Sequence, residues 1–247
     1  MKTFLDSSNE PLAEVVAAFQ QRLEDRGWSV TEPAQANVAL LLGQRHPQSL
    51  LNEFFTSMQW SDEDHWSEEL IFRNTPLEAI YVFCSASSAS SIVSVAPPET
   101  PIVGFSILPP ITDSSILEIT RPLRTPVQEL EKARSFFESL GFTVSEVPDG
   151  PGLVQARIVA CLANEAFSAL AEGVADASTI DTAMKLGLNY PRGPLEWAEL
   201  IGLKSILGIL QGLQSEYGED RYRPNPLLKR LVAAGMSIAQ FEAWKQK

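Results

Sequence analysis

"DTAMKLGLNYPRGPLEWAELIGL" (residues 181–203) holds two apolar, helix-forming runs separated by Gly187, Pro191, Gly193 and Pro194. Proline cannot continue a helix and glycine relaxes the steric limits on a bend, so the spacing predicts a sharp corner. Beyond it, Leu195, Trp197, Leu200 and Ile201 start a new helix at a fixed angle. The surrounding sequence keeps the same period. Leu153, Val154, Ile158, Leu162, Phe167 and Leu170 recur at helical spacing and predict a helix over 152–172. Further helices are expected over 178–187, 193–213, 224–234 and 237–245, with Ser178 and Ser237 as N-caps.

Toward the N-terminus the pattern changes at "PDGPG" (148–152). Before it, short apolar runs alternate with amphipathic ones, the pattern of an α/β layer. Strands are expected at 2–6, 28–32, 36–43, 79–85, 101–108, 115–120 and 142–147. One helix spans 11–26 with Leu12, Val15, Val16, Phe19 and Leu23 on one face, Asn9 as its cap and Gly27 at its end. A second runs over 127–140 and stops at Gly141. The chain of 247 residues, 45% of them hydrophobic, can therefore fill two cores. An α/β domain over 1–148 is followed by an all-helical one over 149–247. The acidic stretch "MQWSDEDHWSEEL" (58–70) reads as a solvated connection whose Trp60 and Trp66 cover the core edge.

The formal net charge is −12, and it is uneven. Up to Pro148 there are nine Lys/Arg against twenty Asp/Glu; from Asp149 there are ten against eleven. Such a chain offers no basic face for nucleic acid. No run of about 18 apolar residues suggests a membrane span, and "MKTFLDSSNE" lacks a signal peptide's apolar core, so a cytoplasmic location is expected. Cys84 and Cys161 read as reduced, buried thiols. His46 and His65 have no partner at metal-ligand spacing and read as surface residues, so no metal is expected.

"NEA" (164–166), "DTAMKLGLNYPRGPLEWAELIGL" (181–203) and "YGEDRYRPNPLLKRLVAAG" (217–235) together resemble the C-terminal domain of the NAD-dependent 3-hydroxyacyl-CoA dehydrogenase family, from about Asp149 to Gly235. The first half resembles the family more weakly, in "YVFCSASSASSIVSVA" (81–96) and "PIVGFSILPPITDSSILEIT" (101–120). The resemblance implies a shortened Rossmann-like parallel sheet followed by a helical dimerisation domain. It also implies acyl-CoA, hence fatty acid, metabolism.

In that family a histidine takes the proton of the 3-hydroxyl while a hydride passes to NAD, and a glutamate twelve residues later orients the histidine. Glu118 falls on the glutamate position, but twelve residues before it stands Ser106. A serine hydroxyl is no base near neutral pH. The family's nearby asparagine and proline are replaced by Pro109 and Pro110, and its asparagine before Arg157 by Ala156. Ser88 matches the substrate-contacting serine, as one of six serines between Ser85 and Ser94. Glu118 reads equally well as a salt-bridged or solvated carboxylate at a strand end. Arg157, Asn164 and Glu165 read either as a polar bridge between the domains or as the wet side of their helix.

The family's first turn, G-x-G-x-x-G, lets backbone amides reach a pyrophosphate. Here the turn is Ser7, Ser8, Asn9, Glu10, Pro11: its side chains obstruct, Pro11 removes an N–H, and Asp6 and Glu10 repel phosphate. Glu32 lies where a ribose-binding acid would stand, but the strand and helical arm that follow in the family, and help hold coenzyme A, have no room before "ANVALLLG" (36–43). The reading is a family member with hydride transfer and NAD binding lost or impaired, keeping a homodimer through its helices or an acyl-CoA-like ligand. The alternative is an active NAD-dependent enzyme in which Ser88, Ser106 and Glu118 line a cleft and a water replaces the imidazole.

Overall fold

The structure, a computed structural model, describes residues 2–5, 13–30, 38–41, 79–94, 96, 100–112 and 114–245. The turn at Asp6 to Pro11 with its Asn9 cap, Glu32, His46, His65 and the acidic stretch with Trp60 and Trp66 lie outside the described residues. Two compact units divide between Val154 and Gln155.

The first unit holds β1 (Lys2–Leu5), α1 (Ala13–Asp25), β2 (Ser29–Val30), β3 (Val38–Leu41), β4 (Ala79–Phe83), α2 (Ala89–Val93), β5 (Ile102–Ser106), β6 (Ile116–Thr120), α3 (Val127–Ser139) and β7 (Thr143–Glu146). The strands form one seven-stranded sheet in the order β2-β1-β3-β4-β5-β6-β7. Every neighbouring pair is parallel except β5 and β6. This is the expected Rossmann-like sheet, and β4 and β5 are buried at every position, as strands covered on both faces should be. Gly27 (φ +74°) and Gly141 (φ +84°) end α1 and α3 in the left-handed region that glycine adopts without penalty.

Side chains alternate across a strand, so the two faces differ in chemistry. One face carries Tyr81, Phe83, Val103, Phe105, Leu117 and Ile119, which pack with Phe19 of α1 and Phe136 and Phe137 of α3. The rings meet edge-on or tilted, with Phe19 and Phe105 at 5.7 Å and Phe105 and Phe137 at 5.1 Å between centroids. The opposite face carries Gly104, Ser106, Glu118 and Thr120, and α2 lies against it.

The second unit holds α4 (Gln155–Ala171), α5 (Ala177–Leu188), α6 (Pro194–Ile201), α7 (Leu203–Tyr217), a 3-10 turn (Asp220–Tyr222), α8 (Pro226–Ala234) and α9 (Ile238–Lys245). Several expectations are corrected. The helix expected over 193–213 is two, because Gly202 at φ +94° and ψ 128° breaks it between Ile201 and Leu203. Asp176, not Ser178, caps α5, accepting the Thr179 N–H at 2.7 Å; Ser178 already lies inside the first turn. Gly187 remains helical, and Asn189 at φ +55° makes the bend.

In α4 the buried stripe is Ala156, Ala160, Ala163 and Ala166 with Phe167 and Leu170, while Ile158 is 54% exposed. Alanines let the helix axis approach α6 and α7 closely, and that gain in packing overrides the larger apolar residues beside them. Ser237 does cap α9: it accepts from Gln240 N–H at 3.2 Å, and the Gln240 side chain accepts from Ser237 N–H at 2.8 Å.

Candidate functional site

Ser106 and Glu118 stand directly opposite each other on the antiparallel strands β5 and β6. Opposed residues on one face lie about 5 Å apart at Cβ, so the twelve-residue spacing becomes a side-by-side pair. Both are buried, Ser106 at 1% exposure and Glu118 at 3%. The Ser106 hydroxyl has no hydrogen-bond partner among the described residues. Glu118 Oε2 accepts the Val154 N–H at 3.2 Å. On β7, Ser145 is in register with Glu118, which extends the polar row to Ser106, Glu118 and Ser145.

Ser88 is the N-cap of α2, the helix that lies against the same face of the sheet. Its hydroxyl caps that helix, accepting from Ser91 N–H at 3.3 Å and pairing with the Ser91 hydroxyl at 2.8 Å. α2 can lie against β5 because residue 104 is glycine: a Cβ there would stand 2.6 Å from Cys84 Sγ and 2.7 Å from both Ala89 Cβ and Thr120 Cγ2. The helix itself is not expected from the serine-rich sequence; a serine three residues before another serine, followed by Ile92 and Val93, is the signal that could have found it.

In the sequence Asp149 marks only the change of pattern at "PDGPG" (148–152). Its carboxylate accepts the N–H groups of Ala89 at 2.8 Å and Ser90 at 2.7 Å, closing the first turn of α2. Together with the Val154 bond to Glu118 and the contact of Leu153 with Cys84 and Ala89, this holds 149–154 in the first unit, which therefore extends past Pro148. Asp149→Ala is expected to cost about 1–2 kcal/mol, the value of a helix cap with a charged acceptor, and Asp149→Asn to recover part of it. A urea denaturation series followed by circular dichroism measures both; equal stability of Asp149→Ala and the wild type would refute the cap's role.

Burial pushes the Cys84 thiol well up from its ordinary value, and the charge of Asp149 adds to the rise, which favours the protonated thiol over the thiolate. Both cysteines are free; Cys84 is buried as expected, whereas Cys161 is only half-buried.

In the helical unit, Arg157 hydrogen-bonds the Tyr222 hydroxyl and lies over the Tyr217 and Tyr222 rings at 4.8 and 5.3 Å. Asn164 donates to Arg223 C=O at 3.0 Å and accepts Asn225 N–H at 2.8 Å. These two residues tie α4 to the segment before α8. Glu165 faces solvent. Asp181, unremarked in the sequence, accepts the N–H groups of Leu195 at 2.8 Å and Glu196 at 3.0 Å and so caps α6 from outside.

A family model described as "3-hydroxyacyl-CoA dehydrogenase, C-terminal domain" matches residues 152–240. A probable 3-hydroxybutyryl-CoA dehydrogenase of Bacillus subtilis is 39% identical over 134 residues, covering 54% of this chain and 47% of that protein. Over these residues the chain is similar to the 3-hydroxyacyl-CoA dehydrogenase family. The 3-hydroxybutyryl-CoA dehydrogenase of Bradyrhizobium diazoefficiens is 36% identical over 158 residues, covering 62% of this chain and 54% of that protein. The chain thus spans about half the length of the curated relatives it matches. Among solved structures, the (S)-3-hydroxybutyryl-CoA dehydrogenase PaaH1 from Ralstonia eutropha shares the fold at a TM-score of 0.64 and 23% identity, with 94% of this chain and 83% of that one covered. No helix among the described residues is long and apolar enough to cross a membrane.

Proposed function

We propose that this 3-hydroxyacyl-CoA dehydrogenase-like chain no longer transfers hydride, and that it retains a role in binding an acyl-CoA-type ligand as a homodimer. The observation that carries this reading is Ser106: a buried neutral hydroxyl occupies the cross-strand position opposite Glu118. A hydroxyl there accepts no proton near neutral pH, and the general base it stands in for is worth about 10²–10⁴-fold in rate. Glu118 accepts the Val154 N–H, a structural task that needs no histidine beside it. The glycine-free first turn supports the same reading from the sequence, since its acids and Pro11 oppose a pyrophosphate. Support for self-association comes from the helical unit, where Ile158, Val174, Leu186 and Leu188 are exposed, Leu186 at 82%.

The test follows NADH absorbance with acetoacetyl-CoA at high protein concentration. Wild type and Glu118→Gln are expected to be equally silent, while steady turnover by the wild type that Glu118→Gln abolishes would overturn the reading. Melting curves separate the ligands: a ligand at 100 times its Kd stabilises by about 2.7 kcal/mol, so acetoacetyl-CoA is expected to raise Tm and NAD to leave it unchanged. Light scattering at micromolar concentration is expected to give twice the chain mass.

A further inference from the structure

A cavity of about 400 Å³ opens in the helical unit among α8, α9 and the turn that joins them. Leu227, Leu231, Met236, Phe241 and Trp244 supply its large apolar side chains. The two rings stack with centroids 6.2 Å apart and planes 21° apart, yet Trp244 is 65% exposed. An indole left so open contributes little to the fold around it.

The polar groups of the lining are few, and one is already committed. Asn225 Oδ1 accepts the Leu227 N–H at 2.8 Å and its Nδ2 donates to Ser168 at 3.1 Å, so both ends of the amide cap α8 and tie it to α4. Arg230 also lines the cavity, and its guanidinium makes no hydrogen bond or ion pair among the described residues. The cavity therefore combines apolar walls with one unpaired cation.

That combination selects an occupant. Ordered water needs two to four polar partners, which these walls do not supply. A multiply charged anion finds only one counter-charge in the lining. A planar guanidinium matches a carboxylate with two parallel N–H bonds, and Met236 with the two rings can close on a flexible hydrocarbon. The volume lies at the small end of ligand cavities, which suits a single medium-length chain. We propose that this cavity binds an amphiphilic monocarboxylate, its head on Arg230 and its hydrocarbon chain between Leu227, Leu231, Met236, Phe241 and Trp244. The site belongs to the helical unit and the polar row to the sheet unit, and the proposal does not rest on the function proposed above.

Isothermal titration of the full chain with decanoate, kept below self-association, tests it. Decanoate is expected to bind with one site per chain, and Arg230→Gln to weaken it at least about tenfold, the value of a lost charged hydrogen bond. Decanol should bind the wild type no better than decanoate binds Arg230→Gln. Ala234 is exposed and lines the cavity, so Ala234→Trp should block decanoate while leaving Tm unchanged. Absence of binding up to millimolar decanoate, or binding indifferent to Arg230→Gln or to Ala234→Trp, would overturn the proposal. A wild-type dimer in sedimentation equilibrium that Ala234→Trp splits would also overturn it, assigning the cavity to a second copy of the chain.

Discussion

Gly193→Ala is expected to destabilise the helical unit by about 3 kcal/mol, although it adds one methyl group. The backbone at Gly193, φ −72°, is open to any residue, so conformation is not the obstacle. Space is: a Cβ there would lie 2.2 Å from Asp181 Cγ and Oδ1 and 2.3 Å from Asp181 Cβ. Asp181 is buried, and its two oxygens hold the first free N–H groups of α6. Glycine at the N-cap has no side chain to do this, so the carboxylate arrives from α5 and needs the room that glycine leaves. Moving Asp181 aside would break both bonds and uncap the helix in a buried place. Burial raises the carboxyl of Asp181 above its ordinary value against the opposing pull of those two N–H bonds, so it has little tolerance for further loss of partners. Chemical denaturation of Gly193→Ala, Asp181→Ala and the double variant measures the coupling. The double variant should cost well less than the sum of the singles; strict additivity would show that the two residues do not meet.

Phe137→Ala is expected to cost about 3–5 kcal/mol, the largest effect in the sheet unit. Its ring is fully buried and lies 5.1 Å from Tyr81, 5.1 Å from Phe105, 5.2 Å from Phe136 and 6.1 Å from Phe19 between centroids. It therefore joins α3 to both α1 and the sheet, and the cavity left by truncation has rigid walls on every side. Leu123→Ala, at a residue 92% exposed, should stay within about 0.5 kcal/mol and serves as the control. A urea midpoint for Phe137→Ala within error of that for Leu123→Ala would contradict this account of the core.

These two sites mark where sequence reading works and where it stops. Phe137 lies on the apolar stripe of a helix whose end, Gly141, is written locally, so both helix and buried face follow from spacing. Gly193 was legible as a corner residue, but its reason, the Asp181 carboxyl twelve residues earlier, was not. The same holds for α4. Periodicity found the helix, yet the face that packs is the alanine one, because close approach to α6 and α7 depends on neighbours that a local pattern does not contain. At the candidate site, the resemblance placed Ser106 and Glu118 twelve residues apart. Antiparallel register made them neighbours.

By itself the sequence determined the division into an α/β part and a helical part, the order of the strands and of the helices apart from α2 and the break at Gly202, and the residue types at positions 88, 106 and 118, because propensity, periodicity and turn chemistry act over a few residues. Only the tertiary structure decided that Asp149 and Asp181 cap helices far from them in the chain, that Ser88 spends its hydroxyl on α2, and that Arg230 stands alone on an apolar cavity. Those outcomes depend on which groups packing brings within reach of one another in three dimensions, far apart as they are in the chain.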